Sequence, residues 1–576
     1  MAHSYLRLTS LVGSLLLAST ASAGTIFVDA NLNTGLNDGS SWADAHQGPN
    51  ALRVALLAAV SGDQVFVADG SYKPANGTAR GLSFSLTSGV EIYGSFLGGE
   101  ATPADRPAFG TAPSILTADL NGDDSGGVIT DNSYHVVKSG TSNSTAILDG
   151  FVITGGNSNA GGNNDRGGGI LNIGASPTVR NCDFIGNRCT FGGGAGYING
   201  GAPNFINCSF IDNIGGSFGG AFDIAVSGAV RYDRCTFMGN RASRAGALEI
   251  FSTNGVVISN SLFVDNTATG TSGGGAIWSG NGGTTTIVNC SIINNSATSN
   301  AHGGVRVQSP SVDIVSNTIL WNNTGSGGAM GSANQMTSGH NVTYSIVTGG
   351  YAGAGNLASD PMLDAGWQPT VASPGTDAGN NTTVPPGAGI DLAGNARFFD
   401  IPSVADTGVG PAPVVDMGAF ESTEITGVPY CFGDGAGTAC PCANSGSGGQ
   451  GCANSSASGA ILSIAGSANV GADDLILNAN NLLGGQPALL FVGNNQLGGG
   501  NGTVFGDGLR CVGGSVVRLG VRVPNVFGDA SWGPGLGAVG GWLPGDTRNF
   551  QIWYRDPSGP CSTAFNLSNA YSVQFQ

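Results

Sequence analysis

Charge is scarce in this chain. Only 10% of its 576 residues are Asp, Glu, Lys or Arg, and lysine stands at Lys73 and Lys138 alone. With 20 basic against 37 acidic residues the net charge is −17. No basic patch follows a phosphate backbone, so nucleic acid is excluded as a partner. Histidine is equally sparse. His3, His46, His135, His302 and His340 stand far apart, which excludes paired ligands at zinc spacing. His302 falls in a repeat turn and is expected to face solvent. Long apolar runs are missing too. The run Leu11 to Ala18 follows Arg7 and precedes Ala21-Ser22-Ala23. It is too short for a spanning helix, which needs roughly 20 apolar residues, and it reads as a signal peptide over residues 1–23. The rest carries no transmembrane helix and is expected to be secreted or at the cell surface, outer-membrane association included.

Glycine is in excess, at 100 of 576 residues. Aperiodic glycine at that level signals disorder; here it is periodic. The pattern Asn-Cys-x-Phe-x-x-Asn recurs at Cys182, Cys208, Cys235, Ser261, Cys290, Thr318 and Ser345, at intervals of 26, 27, 26, 29, 28 and 27 residues. A period near 27 means one supersecondary unit stacked on copies of itself. Three residues before this column stand Val179, Phe205, Tyr232, Ile258, Ile287 and Val315; two after it stand Phe184, Phe210, Phe237, Phe263, Ile292 and Leu320. Positions 0 and +2 share a strand face. Position −3 breaks that parity, so a turn lies between. Asn181, Asn207, Asn260, Asn289 and Asn317, with Arg234 as the exception, supply left-handed turn residues. A second column, Asn187, Asn213, Asn240, Asn266, Asn295 and Asn323, follows the strand and suits a side-chain ladder. Glycine clusters open another strand per repeat, as at Gly220-Ala221-Phe222 and Gly246-Ala247-Leu248. The Gly, Asn, Ser and Thr content argues against a helical repeat. The reading is a right-handed parallel β-helix with three short strands per coil.

The Gly274-Gly275-Ala276-Ile277 and Phe-x-x-Asn elements resemble the polymorphic outer membrane protein repeat of chlamydial surface proteins, over about residues 145–350. The coil also resembles the pectate-lyase-like superfamily. That likeness implies clefts on the outer face of a strand, with acidic calcium ligands and a basic residue as base.

Residues 24–140 read as an N-terminal cap and first coils, similar to the segment ahead of bacterial β-helix surface proteins. Ala51 to Ala59 is a short helix covering the open end of the solenoid. Repeats fill 141–350. Residues 351–422 finish the solenoid, and three blocks there, Ser373 to Gly379, Asp391 to Arg397 and Asp416 to Glu421, resemble the choice-of-anchor module of bacterial surface proteins. Residues 429–576 read as a small β-sandwich, similar to a C-terminal module recurring on exported proteins of environmental bacteria, which implies sorting or attachment. Cys431, Cys440, Cys442, Cys452, Cys511 and Cys561 form an even set suited to disulfides, with connectivity open.

Chemistry has two candidate places. On the strand after each glycine cluster, the column Leu171, Ile198, Asp223, Glu249, Trp278 and Arg306 alternates with apolar residues and is expected to face outward. Asp223 and Glu249 then stack one coil apart, near the roughly 5 to 5.5 Å carboxyl spacing of retaining glycosidases. Trp278 offers a sugar-stacking face and Arg306 a uronate partner. The other place is Asp119, Asn121 and Asp123, whose alternation resembles the start of a calcium loop. No cofactor is otherwise implied. Short turns favour a non-enzymatic surface protein contacting polysaccharide or cell-envelope components. The alternative is a polysaccharide lyase or hydrolase acting through Asp223, Glu249 and Arg306.

Overall fold

The computed structural model describes residues 23–575, apart from 227, 253, 300–301, 312, 329, 402–403, 423–426, 467, 469 and 472. The signal-peptide run therefore lies outside the described residues. The chain divides into two compact units, one ending at Ser422 and the other starting at Thr423.

The first unit is a parallel β-helix. Its coils contribute strands to three parallel sheets of twelve, ten and eight strands. Val179, Phe205, Tyr232, Ile258, Ile287 and Val315 are successive Cα partners in the twelve-stranded sheet. Phe184, Phe210, Phe237, Phe263, Ile292 and Leu320 do the same in the ten-stranded sheet. Both columns are sealed in the core with Cys182, Cys208, Cys235 and Cys290 between them. Aromatic rings stack along the axis, Phe237 on Phe263 at 4.4 Å and 5°. The turn column is left-handed throughout: φ runs from 49° to 53° at Asn181, Asn207, Arg234, Asn260, Asn289 and Asn317. A single corner geometry explains why Asn recurs there.

The other Asn column is a buried amide ladder. Asn213 Nδ2 donates to Asn240 Oδ1 at 3.0 Å, Asn240 to Asn266 at 2.9 Å and Asn266 to Asn295 at 2.8 Å. Each Oδ1 also accepts the preceding coil's backbone N–H. The thiols of the core are free and buried, and burial pushes Cys182 and Cys208 well up and Cys290 to about 12.

The helix Ala51–Ala58 places Ala51, Leu52 and Ala55 in the same core, beside the first strands of the solenoid. Residues 351–422, read as the end of the solenoid, add no further strand among the described residues. Leu357 bridges in parallel to Ile346, and the later residues lie along the outer side of the coils. Ala419 N–H donates to Ser291 Oγ at 3.0 Å, and Phe420 packs with Leu262, Val264 and Ile293.

The second unit pairs a five-stranded antiparallel sheet with a three-stranded one. Leu462, Leu477, Leu490, Trp532, Phe550 and Ile552 share one core. Three disulfides, Cys431–Cys511, Cys440–Cys452 and Cys442–Cys561, staple this unit, and Cys431, Cys440, Cys452 and Cys511 pack with Phe491 and Leu567 in a second cluster. Among the described residues, no helix is long and apolar enough to cross a membrane.

Candidate functional site

The eight-stranded sheet carries the outward column, with one change of register. Its ladder runs Ser85, Lys138, Leu171, Tyr197, Asp223, Glu249, Trp278 and Arg306. Tyr197, not Ile198, belongs to it, because Gly196 stands where Ile170 and Phe222 stand in neighbouring coils. Ile198 points inward with Ile224 and Ile250.

Pointing away from the core does not expose the middle of the column, although Ser85 is exposed and Lys138 and Arg306 are half-buried. Asp223 is 3% exposed, Glu249 1% and Trp278 2%. The glycine-rich backbone preceding each strand doubles back over the ladder, with parallel bridges from Arg166 to Gly192 and from Gly192 to Phe218. A Cβ on Gly192 would stand 2.1 Å from Asp223 Oδ2, so only glycine lets the backbone pass that closely. Glycine here makes a cover, which its sequence position does not reveal.

Two arginines complete the cover. Arg244 lies over the rings of Phe218 and Trp278, at 4.5 and 4.2 Å, and donates to Glu249 Oε1. Arg166 lies 4.2 Å over Phe191 and donates through Nη1 to the Tyr197 hydroxyl at 2.9 Å. Burial pushes the Asp223 carboxyl up to about 7 and the Glu249 charge adds to it, while Arg166 and Arg244 oppose. Burial also raises Glu249, against its bond to Arg244. Glu249 Oε2 has no hydrogen-bond partner. The pair is thus a sealed charge cluster with aromatic and guanidinium lids, and Trp278 presents no open stacking face. Arg166, Arg244 and Phe218 were absent from the sequence candidates. Their one signal is position: Arg166 and Phe218 directly precede a glycine, and Arg244 stands two residues before Gly246.

The acidic loop is assembled differently from its sequence pattern. Asp119, Asp123 and Asp124 bring carboxylate oxygens within 4.8 Å of one another. Asn121 is exposed, and its backbone N–H donates to Asp131 Oδ2 at 3.2 Å. His302, expected to face solvent, is half-buried with Nδ1 against the Ala333 carbonyl. Gly-x-Ser-x-Gly occurs at Gly215 to Gly219 and Gly270 to Gly274. Both copies lie in the solenoid and lead to strands, not in the strand-to-helix elbow that exposes a nucleophile.

A further cavity of about 380 Å³ opens on the second unit, lined by Leu489, Phe491, Phe505, Arg510, Arg518 and Trp553 among others. Phe565 links its aromatics, 5.1 Å from Phe505 and 5.6 Å from Trp553. Among the described residues, neither Arg510 nor Arg518 has a carboxylate within salt-bridge distance.

No family model and no curated protein matches this chain. Among solved structures, the crystal structure of pectate lyase Pel9A is similar at 16% identity and a TM-score of 0.37, covering 70% of this chain and 97% of that one. A likeness of that size carries no argument about activity, and the β-helix stands on its own strand register.

Proposed function

We propose that this chain is an exported, non-enzymatic β-helix protein of the bacterial surface or extracellular space that contacts acidic polysaccharide. One observation carries the non-enzymatic reading: the Asp223 and Glu249 carboxyls are 3% and 1% exposed. A general acid or base must lie within about 3 Å of the atom it protonates, and no sugar reaches a pair roofed by Arg244 and glycine backbone. Polysaccharide contact is supported by the cavity on the second unit. On a chain of net charge −17, a pocket combining two guanidiniums with Phe505 and Trp553 matches a uronate's carboxylate and its apolar ring face. Three disulfides support an oxidising compartment.

A second reading, a lyase or hydrolase acting through Asp223, Glu249 and Arg306, has one observation behind it. Asp223 is held at about 7, where a group exchanges protons most usefully. The test is a panel of acidic and neutral polysaccharides, assayed for binding and depolymerisation with and without calcium. Binding to the acidic members, weakened about tenfold or more in Arg518→Ala and Trp553→Ala without cleavage, supports the first reading. Cleavage that disappears in Asp223→Asn and Glu249→Gln establishes the second. No interaction with any member leaves a structural envelope role and overturns both.

A further inference from the structure

The loop between the strand Ser114–Thr117 and Val136 gathers more oxygen than its hydrogen bonds satisfy. Asp119 is well served: the N–H groups of Gly122 and Asp123 donate to its Oδ1 at 2.6 and 3.1 Å, and that of Asp124 to its Oδ2 at 3.3 Å. These bonds curl the loop so that three carboxylates converge. The remaining oxygens are not served. Oδ1 of Asp123, Asp124, Asp131 and Asn132 are all buried without a hydrogen-bond partner.

Asn132 is the independent observation. It is 1% exposed, and its Nδ2 donates to Asp124 Oδ2 at 3.1 Å and to the Gly155 carbonyl at 2.6 Å. Its amide is therefore fixed against the carboxylates with its own oxygen uncommitted. Gly155 has φ of 77°, and a Cβ there would stand 3.3 Å from Asp124 Oδ2, so glycine keeps that side of the cluster clear. Among the described residues, no Lys or Arg lies within salt-bridge distance of Asp119, Asp123, Asp124 or Asp131. Lys73 reaches the loop but donates to the Leu120 carbonyl at 3.3 Å.

Buried, unpartnered oxygens are costly, and carboxylates this close repel. A single donor relieves one of these groups, whereas a hard cation relieves several together. We propose that this loop is a calcium site, with Asp119, Asp123 and Asp124 as charged ligands and Asn132 and Asp131 completing an all-oxygen set. The absence of nitrogen and sulfur donors disfavours zinc and copper. An irregular set drawn from a loop suits calcium better than octahedral magnesium. The site is not an EF-type loop. Asp124 stands where that motif needs glycine, and Asn121 lies outside the cluster. Because Asn132 also binds the Gly155 carbonyl just beyond the strand Phe151–Thr154, an ion here ties the loop to the next coil.

The test is titration calorimetry of the chelator-treated full protein with calcium and, separately, magnesium. Hydrogen exchange is followed on residues 119–132. The expected result is one calcium bound per chain with slowed exchange in that loop. Affinity should fall at least about tenfold in Asp123→Asn and Asp124→Asn, with circular dichroism unchanged. Exchange in the wild type answers the question even where a variant fails to fold. No calcium uptake at millimolar concentration overturns the proposal. So do uptake that leaves exchange in the loop unchanged, unaltered affinity in folded variants, and equal affinity for magnesium.

Discussion

Arg397 and Glu421 form an ion pair closed to solvent: Nη1 donates to Oε1 at 2.7 Å with the two side chains 0% and 1% exposed. The pair is the centre of a larger network. Arg397 Nη2 donates to the Ala419 carbonyl at 2.9 Å, and Glu421 N–H to Asp391 Oδ2 at 2.8 Å. Asp416 accepts from the N–H groups of Asp377 and Ser422 at 2.7 and 2.6 Å. Three blocks far apart in sequence thus meet in one buried polar cluster against the solenoid.

Removing one partner of such a pair strands the other. Arg397→Met leaves the Glu421 carboxyl, already pushed well up by burial, without its guanidinium. The expected loss is about 3–5 kcal/mol, read by urea unfolding. The double variant Arg397→Met with Glu421→Gln should recover part of it. A loss under about 1 kcal/mol in the single variant means the network does not hold residues 351–422 in place.

The Asn ladder makes a second stability prediction. Asn240 donates to the Phe210 carbonyl at 2.8 Å and to Asn266 Oδ1 at 2.9 Å, while its Oδ1 accepts from Asn213 N–H at 3.0 Å. Asn240→Ala orphans these groups at about 1–3 kcal/mol each. Asn240→Asp keeps the acceptors but faces Asn266 Oδ1 with a carboxylate, so it should be less stable than the Ala variant at pH 8 and recover towards pH 4. Equal unfolding midpoints for wild type and Asn240→Ala would show the ladder to be energetically idle.

Parallel coils explain what the sequence discloses. Each position returns in register every coil, so the inward columns at Val179 and Phe184, the left-handed corner at Asn181 and the ladder at Asn187 can all be read by alignment alone. The cover over Asp223 cannot. It depends on Gly192 backbone passing across a side chain one coil away, and on Arg166 and Arg244, which do not recur in every coil. Alignment on the first apolar residue also slips at Gly196, which is why Ile198 replaced Tyr197. The final strand, Phe565–Gln574, shows no apolar alternation in the sequence because its buried residues include Asn566, Ser568 and Asn569. Packing along the outer side of the coils by the later part of 351–422 is likewise a tertiary event without a local signature.

Asp223 should mark the pH dependence of stability. Its folded pKa, about 7, lies above the unfolded value of about 3.9. Between these values the folded state keeps a proton that the unfolded state has lost, so rising pH weakens the fold. Below about pH 4 both states are protonated, and above about 7 the full penalty is present. Asp223→Asn does not titrate and should gain on the wild type as pH climbs from 4 to 8, on the order of a few kcal/mol at most. Urea midpoints at pH 4.5, 6 and 8 measure the gap. A constant gap, or one that narrows with pH, means Arg244 and Arg166 hold the carboxyl ionised throughout.

Thiol chemistry separates the two units. Cys182, Cys189, Cys208, Cys235 and Cys290 are free and buried, whereas the six cysteines of the second unit form bridges spanning 80, 12 and 119 residues. Burial pushes the Cys182, Cys208 and Cys290 thiols up, and Cys189 to about 12, and thiolate is the reactive form. The native protein should therefore react negligibly with a thiol reagent, and the denatured, unreduced protein should expose five groups. Loops of 80 and 119 residues are each worth about 4–5 kcal/mol on the chain-entropy model. Reduction should accordingly unfold the second unit at a denaturant concentration that leaves the β-helix transition unmoved. A β-helix transition that shifts with reductant would mean that ladder thiols are themselves oxidised in the folded chain, and peptide mapping of the unreduced protein would locate the pair.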